Sequence, residues 1–289
     1  MLKSYKKHHL NDADHHSPNN QYWPDCLWLQ SRRFNAGISG TNRCNTTNCR
    51  INVLAHSAPV WTAPVTGNLG SISTPSTDDQ QPYLNAVIRI ATHLNPSDLH
   101  LQTAAIEHQF GRVRAGRWRA RTIDLDLLLL GDHIVNTRSL TLPHPRMSFR
   151  RFVLEPAAEI AANAVHPTSQ CSMADLLKRI NSSVKIMALV APISEAQTVA
   201  LDKLVSLLSK KNSHWQFEKV FSAEKLLQLD SNLTIVVTFD VHVTDTEDTT
   251  WRKLREHALR FAGPTLHLKK PSNSAAALNE LSAAIQTIG

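Results

Sequence analysis

The pattern of apolar and polar positions changes character near residue 183. Before it, segments with strand or helix periodicity are separated by long polar stretches, among them residues 66–81. The predicted strands are 26–30, 51–62, 83–91 and 122–130, and the predicted helices are 95–110, 152–160 and 173–180. Residues 1–24 lack such a pattern and are predicted to form a disordered arm.

From residue 184 onward, apolar strands and amphipathic helices alternate along the chain. The predicted strands are 184–190, 215–221, 233–243 and 265–268, and the predicted helices are 196–209, 223–229, 250–261 and 274–288. This order is typical of an α/β layer with parallel strands. We therefore predict two folded domains, residues 25–183 and a smaller α/β domain of unknown role at residues 184–289.

The composition indicates a folded protein with an excess of basic residues. Hydrophobic residues make up 42% of the chain, and the formal net charge is +7. Such a charge suits an anionic partner, whether a nucleotide, a nucleic acid or a membrane surface. No apolar run approaches the ~20 residues of a membrane-spanning helix, and Met1–Asn20 lacks the apolar segment of a secretory signal. A cytoplasmic location is therefore expected.

The densest chemical signal is a pair of acids in the predicted strand 122–130. Because side chains alternate along a strand, we expect Asp124 and Asp126 on one face and Leu125 on the other. Two neighbouring carboxylates repel each other, and hard divalent cations that also bind phosphate oxygens would relieve this repulsion. The alternative is an edge strand with two solvated acids.

An arginine-rich segment precedes this strand. Its arginines are Arg112, Arg114, Arg117, Arg119 and Arg121, with Trp118 among them. The planar guanidinium group matches the geometry of phosphate oxygens, so acids and arginines together predict a phosphate-transfer site. For the arginines alone, the alternative is a basic surface or an RNA-binding patch.

Further motifs flank these two segments. They are Thr62-Ala-Pro-Val65, Tyr83-Leu-Asn85-Ala, Glu107, Leu142-Pro-His144-Pro and Arg151-Phe152-Val-Leu. With the run Arg121-Thr-Ile-Asp124-Leu-Asp126, they resemble the 6-hydroxymethyl-7,8-dihydropterin pyrophosphokinase family over about residues 26–180. The resemblance implies an α+β fold, with a ferredoxin-like antiparallel sheet and packed helices.

The resemblance also implies an activity. Members of this family transfer pyrophosphate from ATP to 6-hydroxymethyl-7,8-dihydropterin, which gives AMP and the pterin diphosphate in folate biosynthesis. The implied partners are these two small molecules, with two Mg²⁺ ions as cofactors. We expect a monomer or homodimer without a nucleic-acid or membrane partner.

A role for each motif residue follows from the same resemblance. Asp124 and Asp126 would bind the metal ions, and together with Arg112 and Arg121 they are the expected catalytic residues. The expected ATP-binding residues are Glu107, Arg114, Trp118, His144 and Arg151. The expected pterin-binding residues are Thr62, Val65, Tyr83, Asn85 and Phe152, in which the rings of Tyr83 and Phe152 would sandwich the flat pterin. Without the resemblance, these two rings could equally be core residues.

The first predicted strand departs from the family pattern. Its usual G-S-N-L-G turn is replaced by Gln30-Ser31-Arg32-Arg33, in which only Ser31 matches, and Arg119 occupies the place of a loop glycine. This leaves a second hypothesis, a weakened or inactive relative that binds nucleotide or pterin without turnover.

The segment 184–289 carries less chemistry. Ala191-Pro-Ile-Ser194 follows its first strand but does not form a G-x4-G-K-[ST] phosphate loop. Gly263-Pro-Thr-Leu gives a faint resemblance to a degenerate nucleoside-kinase-like domain, and the alternative is a docking or stabilising domain.

Overall fold

The computed structural model describes residues 23–33, 51–63, 82–109, 123–239, 249–268 and 275–289, and for residues 23–33 and Ser231 it describes the backbone alone. The predicted arm therefore lies outside the described residues as far as residue 22. Trp23 and Pro24 belong to the first strand, because Trp23 pairs with Thr92 across a bulge. These two residues are thus part of β1, and the predicted arm over residues 1–22 stays a prediction.

The N-terminal sheet consists of antiparallel strands. They are β1 (Trp23–Arg33), β2 (Ile51–His56), β3 (Val60–Thr62), β4 (Tyr83–Thr92) and β5 (Asp124–Leu130). Their order is β2-β4-β1-β5, and β3 also pairs with β4. A small hairpin of β6 (Val135–Asn136) and β7 (Thr141–Leu142) follows. The helices of this part are α1 (Pro96–Gln109), α2 (Arg151–Ala161) and α3 (Met173–Ile180). This antiparallel sheet with helices confirms the predicted α+β class.

The predicted strand 51–62 is divided into β2 and β3. Pro59 has no N–H group for a continuous ladder, and the hydroxyl of Ser57 turns towards β4, where it accepts a hydrogen bond from Val87 N (3.0 Å). Ala58 N donates to both carboxylate oxygens of Glu159 in α2 (3.0 and 3.2 Å). The break therefore ties β3 to both a strand and a helix.

The C-terminal sheet has parallel strands. They are β8 (Lys185–Val190), β9 (Trp215–Val220), β10 (Ile235–Phe239) and β11 (Thr265–Leu268), in the order β11-β10-β8-β9. The accompanying helices are α4 (Glu195–Ser209), α5 (Ala223–Leu229), α6 (Thr249–Leu259) and α7 (Ala275–Ile288). Every residue of β8 and β10 is buried, as expected for strands covered on both faces.

A single hydrophobic cluster runs through both parts of the chain. It joins Leu128 of β5 and Leu154 of α2 to Leu189 of β8 and Leu281 of α7, all of them at most 1% exposed. The other face of the C-terminal sheet packs into a separate cluster. The predicted boundary at residue 183 therefore divides the sequence pattern, while the apolar core continues across it.

Among the described residues, no helix has the length and apolar character needed to span a bilayer.

We predict a stability loss in acid that depends on His166, in the turn between α2 and α3. This side chain is 6% exposed, and burial lowers its pKa to about 4. The unfolded chain, with a pKa of about 6.5, binds the proton first, so stability falls as the pH drops from about 6.5 to about 4. Between pH 7 and pH 4, protonation of His166 is expected to lower the free energy of unfolding by about 3 kcal/mol.

The measurement is the urea unfolding free energy of wild type and of His166→Gln, each at pH 7 and at pH 4. The exposed His56, changed to Gln, serves as the control. Equal pH dependence in wild type and His166→Gln would contradict the prediction.

Candidate active site

Two carboxylates lie on one face of β5. Burial alternates along the strand, so that Asp124 and Asp126 are partly exposed while Leu125 and Leu127 are buried. The strand is held on β1, where Ser31 is the partner of Asp124 and Leu29 is the partner of Asp126. The apolar face of β5 thus fixes the direction in which both acids project.

A buried carboxylate supports the backbone between these acids. Glu107 of α1 is 5% exposed, and its Oε1 accepts a hydrogen bond from Leu125 N (2.9 Å). A buried acid is stabilised by such a bond. Glu107 therefore joins α1 to β5 midway between Asp124 and Asp126.

The turn His144–Arg151, which we name the arginine turn, lies next to β5. His144 N donates to Leu128 O (2.7 Å), and Arg146 N donates to His144 Nδ1 (3.2 Å). Burial, reinforced by the positive charges of Arg150 and Arg146, lowers the pKa of His144 to about 3. The ring is therefore neutral at physiological pH, and because Nδ1 is an acceptor, its proton is on Nε2.

Arg150 brings a positive charge close to the acids. Burial and the neighbouring Arg146 lower the pKa of Arg150 to about 10, whereas the negative charges of Asp126 and Glu280 act in the opposite direction. Its guanidinium lies 5.4 Å from the ring centroid of Phe152. Nε of Arg150 is buried, and none of the residues that the structure describes accepts a hydrogen bond from it.

Arg151, the arginine singled out by the sequence, points elsewhere. Its Nε and Nη2 donate to Ile288 O (3.0 and 2.8 Å), and its Nη1 donates to Glu155 and Asn181. These partners belong to α2, to the end of α3 and to α7. Arg151 is therefore bound to its own helix and to the ends of α3 and α7, whereas Arg150 is the arginine on which the charge of Asp126 acts.

A second polar group lies at the end of β4. Asn85 is 2% exposed, and its Nδ2 donates to Thr62 Oγ1 (2.8 Å) on the adjacent β3. The β3–β4 register places Thr62 opposite Tyr83, and α2, which carries Phe152, packs against both strands. Thr62, Tyr83 and Asn85 are thus brought together, with the helix of Phe152 beside them.

Comparison with known proteins relates this architecture to one enzyme family. Residues 38–162 match the family described as 7,8-dihydro-6-hydroxymethylpterin-pyrophosphokinase (HPPK). This segment, which is less than half of the chain, is therefore similar to the HPPK family. The matched residues include β2 to β5, the arginine turn and α2.

Individual relatives carry the same name. The 2-amino-4-hydroxy-6-hydroxymethyldihydropteridine pyrophosphokinase of Synechocystis sp. is 40% identical over 102 residues, which are 35% of this chain and 52% of that protein. The corresponding protein of Haemophilus influenzae is 48% identical over 92 residues, 32% of this chain and 58% of the relative. That of Bacillus subtilis is 48% identical over 83 residues, 29% and 50% of the two chains. The chain thus spans about half the length of these relatives.

Part of the HPPK-like site lies outside the described residues. Arg112, Arg114, Trp118 and Arg121 fall within 110–122, and Val65 falls within 64–81. Their predicted roles, as catalytic, ATP-binding or pterin-binding residues, stay predictions. Within the described ranges, no group of three or more potential metal ligands occurs. A metal ion at β5 would therefore be held by the two acids, with its remaining ligands from outside the described residues. Two carboxylates that offer oxygen donors alone suit Mg²⁺, which takes its remaining ligands from phosphate and water.

Arg150 and Arg151 are adjacent, so they project in different directions, and the difference depends on where α2 begins. α2 starts at Arg151, while Arg150 is its extended N-cap residue. The ATP-binding role expected for Arg151 stays a prediction, and the charge of Asp126 acting on Arg150 makes Arg150 a second candidate that the motif alone did not indicate.

We predict that Glu107→Ala destabilises the protein by about 1–3 kcal/mol, because Leu125 N then loses its buried acceptor. Glu107→Gln is the matched control, since its amide oxygen can still accept that bond. The measurement is the urea unfolding free energy of the three proteins. Equal stability of Glu107→Ala and Glu107→Gln would show that the bond to Leu125 contributes nothing.

Proposed function

We propose that this protein transfers pyrophosphate from ATP to 6-hydroxymethyl-7,8-dihydropterin. The observation that carries the proposal is the pair Asp124 and Asp126 on the strand β5 to which His144 of the arginine turn is bound, in a segment similar to the HPPK family. Acidic metal ligands beside an arginine and a neutral histidine are suited to binding a polyphosphate. The similarity to relatives named as pyrophosphokinases supports the same activity.

Asp124 and Asp126 would hold two Mg²⁺ ions, which would neutralise charge on the ATP phosphates when bound. The backbone support from Glu107 keeps the two acids in register, because its bond to Leu125 lies between them. The apolar face of β5 prevents either side chain from turning inwards.

The arginine turn would bind the phosphates from one side. Arg150 has a buried Nε that no described residue engages, so a phosphate oxygen could accept from it. His144 is uncharged and carries its proton on Nε2, which can donate to a second oxygen. Arg112, Arg114, Trp118 and Arg121 would complete this side, as the family resemblance predicts.

The pterin would lie against β3 and β4. Asn85 would read the amide-like edge of the pterin, as the family resemblance predicts, and its bond to Thr62 fixes the orientation of the amide. Tyr83 and Phe152 are partly buried aromatic residues suited to the two faces of a flat heterocycle. Thr62 and Val65 would add polar contacts from the adjoining segment.

The reaction forms one bond and breaks one bond. The hydroxymethyl oxygen of the pterin forms a bond to the β-phosphorus of ATP, while the bond between that phosphorus and the oxygen bridging to the α-phosphate breaks. AMP leaves with the bridging oxygen, and the hydroxyl proton passes to water. The protein contributes by positioning the substrates and by balancing the charge of the transferred group.

Several predictions remain attached to this proposal. They are the number of metal ions, the ferredoxin-like topology, a cytoplasmic location, a monomeric or homodimeric state without nucleic-acid or membrane partners, and a separate α/β domain after residue 184. Its role as a degenerate nucleoside-kinase-like domain, or as a docking or stabilising domain, also stays a prediction.

We predict that Asp124→Asn and Asp126→Asn each lower AMP formation by about 100-fold or more, because removal of a charged ligand weakens the stabilisation of the transferred phosphoryl group. The assay measures AMP released from ATP and Mg²⁺ in the presence and absence of the pterin. Asp202→Asn, which removes a surface acid paired with Lys219, is the control. Undiminished turnover in both aspartate variants would refute the metal role. Nucleotide binding by calorimetry without any AMP from the wild-type protein would favour the non-catalytic relative.

We further predict that Arg150→Lys changes the binding of ATP, whereas Arg151→Lys changes the stability of the protein. Lysine keeps the charge but loses the planar fork, so Arg150→Lys should raise the KM for ATP. Arg151→Lys should instead lower the thermal stability, because Arg151 binds Ile288, Glu155 and Asn181. The KM for ATP and the Tm of both variants test this. A raised KM for ATP in Arg151→Lys alone would restore Arg151 as the ATP-binding residue.

A further inference from the structure

The arginine turn is held by residues from the C-terminal part of the chain. Arg146, Ser148 and Arg151 each bind a residue at least 117 positions further along the sequence. These partners are Glu280 and Ile288 of α7 and Thr265 of β11. The turn that carries Arg150 is therefore attached to elements that lie outside the segment matched to the HPPK family.

The first attachment is an ion pair. Both carboxylate oxygens of Glu280 accept from Nη2 of Arg146, at 2.7 and 2.8 Å. The two side chains are 43% and 36% exposed, so the pair is partly solvated. Ion pairs of this kind contribute little to global stability. Its effect is instead to fix the guanidinium of Arg146 against α7.

Two more attachments hold the turn on either side of Arg150. Ser148, which is 3% exposed, donates from Oγ to Thr265 O and accepts from Thr265 N, both at 3.2 Å. Arg151 donates to Ile288 O. Arg150 thus projects from a short segment whose neighbours are bound before and after it.

The charges around Arg150 give Glu280 a second effect. The charge of Arg146 lowers the pKa of Arg150, whereas the charges of Asp126 and Glu280 act in the opposite direction. Loss of Glu280 would remove the ion-pair partner that holds Arg146 at 2.7 Å. Arg146 would then be able to leave α7 and compete with Arg150 for the charge of Asp126.

We propose that Glu280 is a positioning residue for the ATP side of the reaction. It holds Arg146 against α7 and so leaves Asp126 and the phosphates to Arg150. This inference rests on the function proposed above. It also assigns a task to the part of the chain beyond the HPPK-like segment, which is to fix the geometry of the arginine turn.

The test compares Glu280→Gln, Glu280→Asp and Arg146→Gln with the double variant and with Glu155→Gln. Glu155 is a matched control, since its carboxylate also pairs with an arginine of the turn and is 41% exposed, against 36% for Glu280. AMP release is measured with ATP varied at saturating pterin and with pterin varied at saturating ATP. Amide hydrogen exchange of residues 143–151 is measured on the same proteins.

We expect Glu280→Gln to lower kcat/KM for ATP by roughly ten-fold while leaving the KM for the pterin unchanged. Glu280→Asp should recover most of this loss, because it keeps the charge. The double variant should have the same kcat/KM for ATP as Arg146→Gln, because the ion pair that both substitutions remove can be lost only once. Glu155→Gln should have the ATP kinetics of wild type.

Three results would overturn the inference: unchanged ATP kinetics in Glu280→Gln, an equal loss in Glu155→Gln, or additive losses in the double variant. If the wild-type protein releases no AMP, the proposed function fails. The hydrogen-exchange data then test only whether Glu280 holds the arginine turn in place. Faster exchange at 143–151 in Glu280→Gln than in Glu155→Gln would then support the attachment, and equal exchange would refute it.

Discussion

The alternation of side chains along β5 is the constraint on which the rest of the site depends. Leu125 and Leu127 are buried, and this burial holds Asp124 and Asp126 on the opposite face. A shift of the β1–β5 register by one residue would exchange the two faces and bury the acids. Pairing with β1, the bond from Leu125 to Glu107 and the packing of Leu128 in the main cluster all oppose such a shift. The arginine turn depends on this arrangement as well, because the charge of Asp126 acts on Arg150 from the outward face of β5.

Local features of the sequence predicted the elements and the acid pair well. The helix over α3 was predicted with the bounds that the structure has, residues 173–180, and the spacing of Asp124 and Asp126 was enough to place them on one face. The break at Ser57–Pro59 was missed because the apolar pattern continues across it. The different surroundings of Arg150 and Arg151 could not be predicted, because neighbouring residues share every local signal. The contact of Arg146 with Glu280 could not be predicted either, since the two lie 134 residues apart and only the folded chain brings them together.

The two parts of the chain differ in sequence pattern but share their interior. α2 and α3 pack their apolar faces into a cluster that also contains strands of the C-terminal sheet and α7. Close packing transmits small displacements between neighbours, so the position of α7 and the position of the arginine turn are linked through both the core and the surface pairs. The C-terminal sheet thus shares the core into which α2 and α3 pack.

The shared interior has a practical consequence for dissecting the protein. A truncated fragment that stops before β8 would lack the strands and helices that share the main cluster with the fully buried Met173, Leu176 and Ile180 of α3, and would leave part of that cluster uncovered. Exposed apolar surface of that kind promotes self-association. Low turnover by such a fragment would report aggregation or misfolding of its helices, and it would carry no information about the catalytic competence of the acids and arginines that it retains.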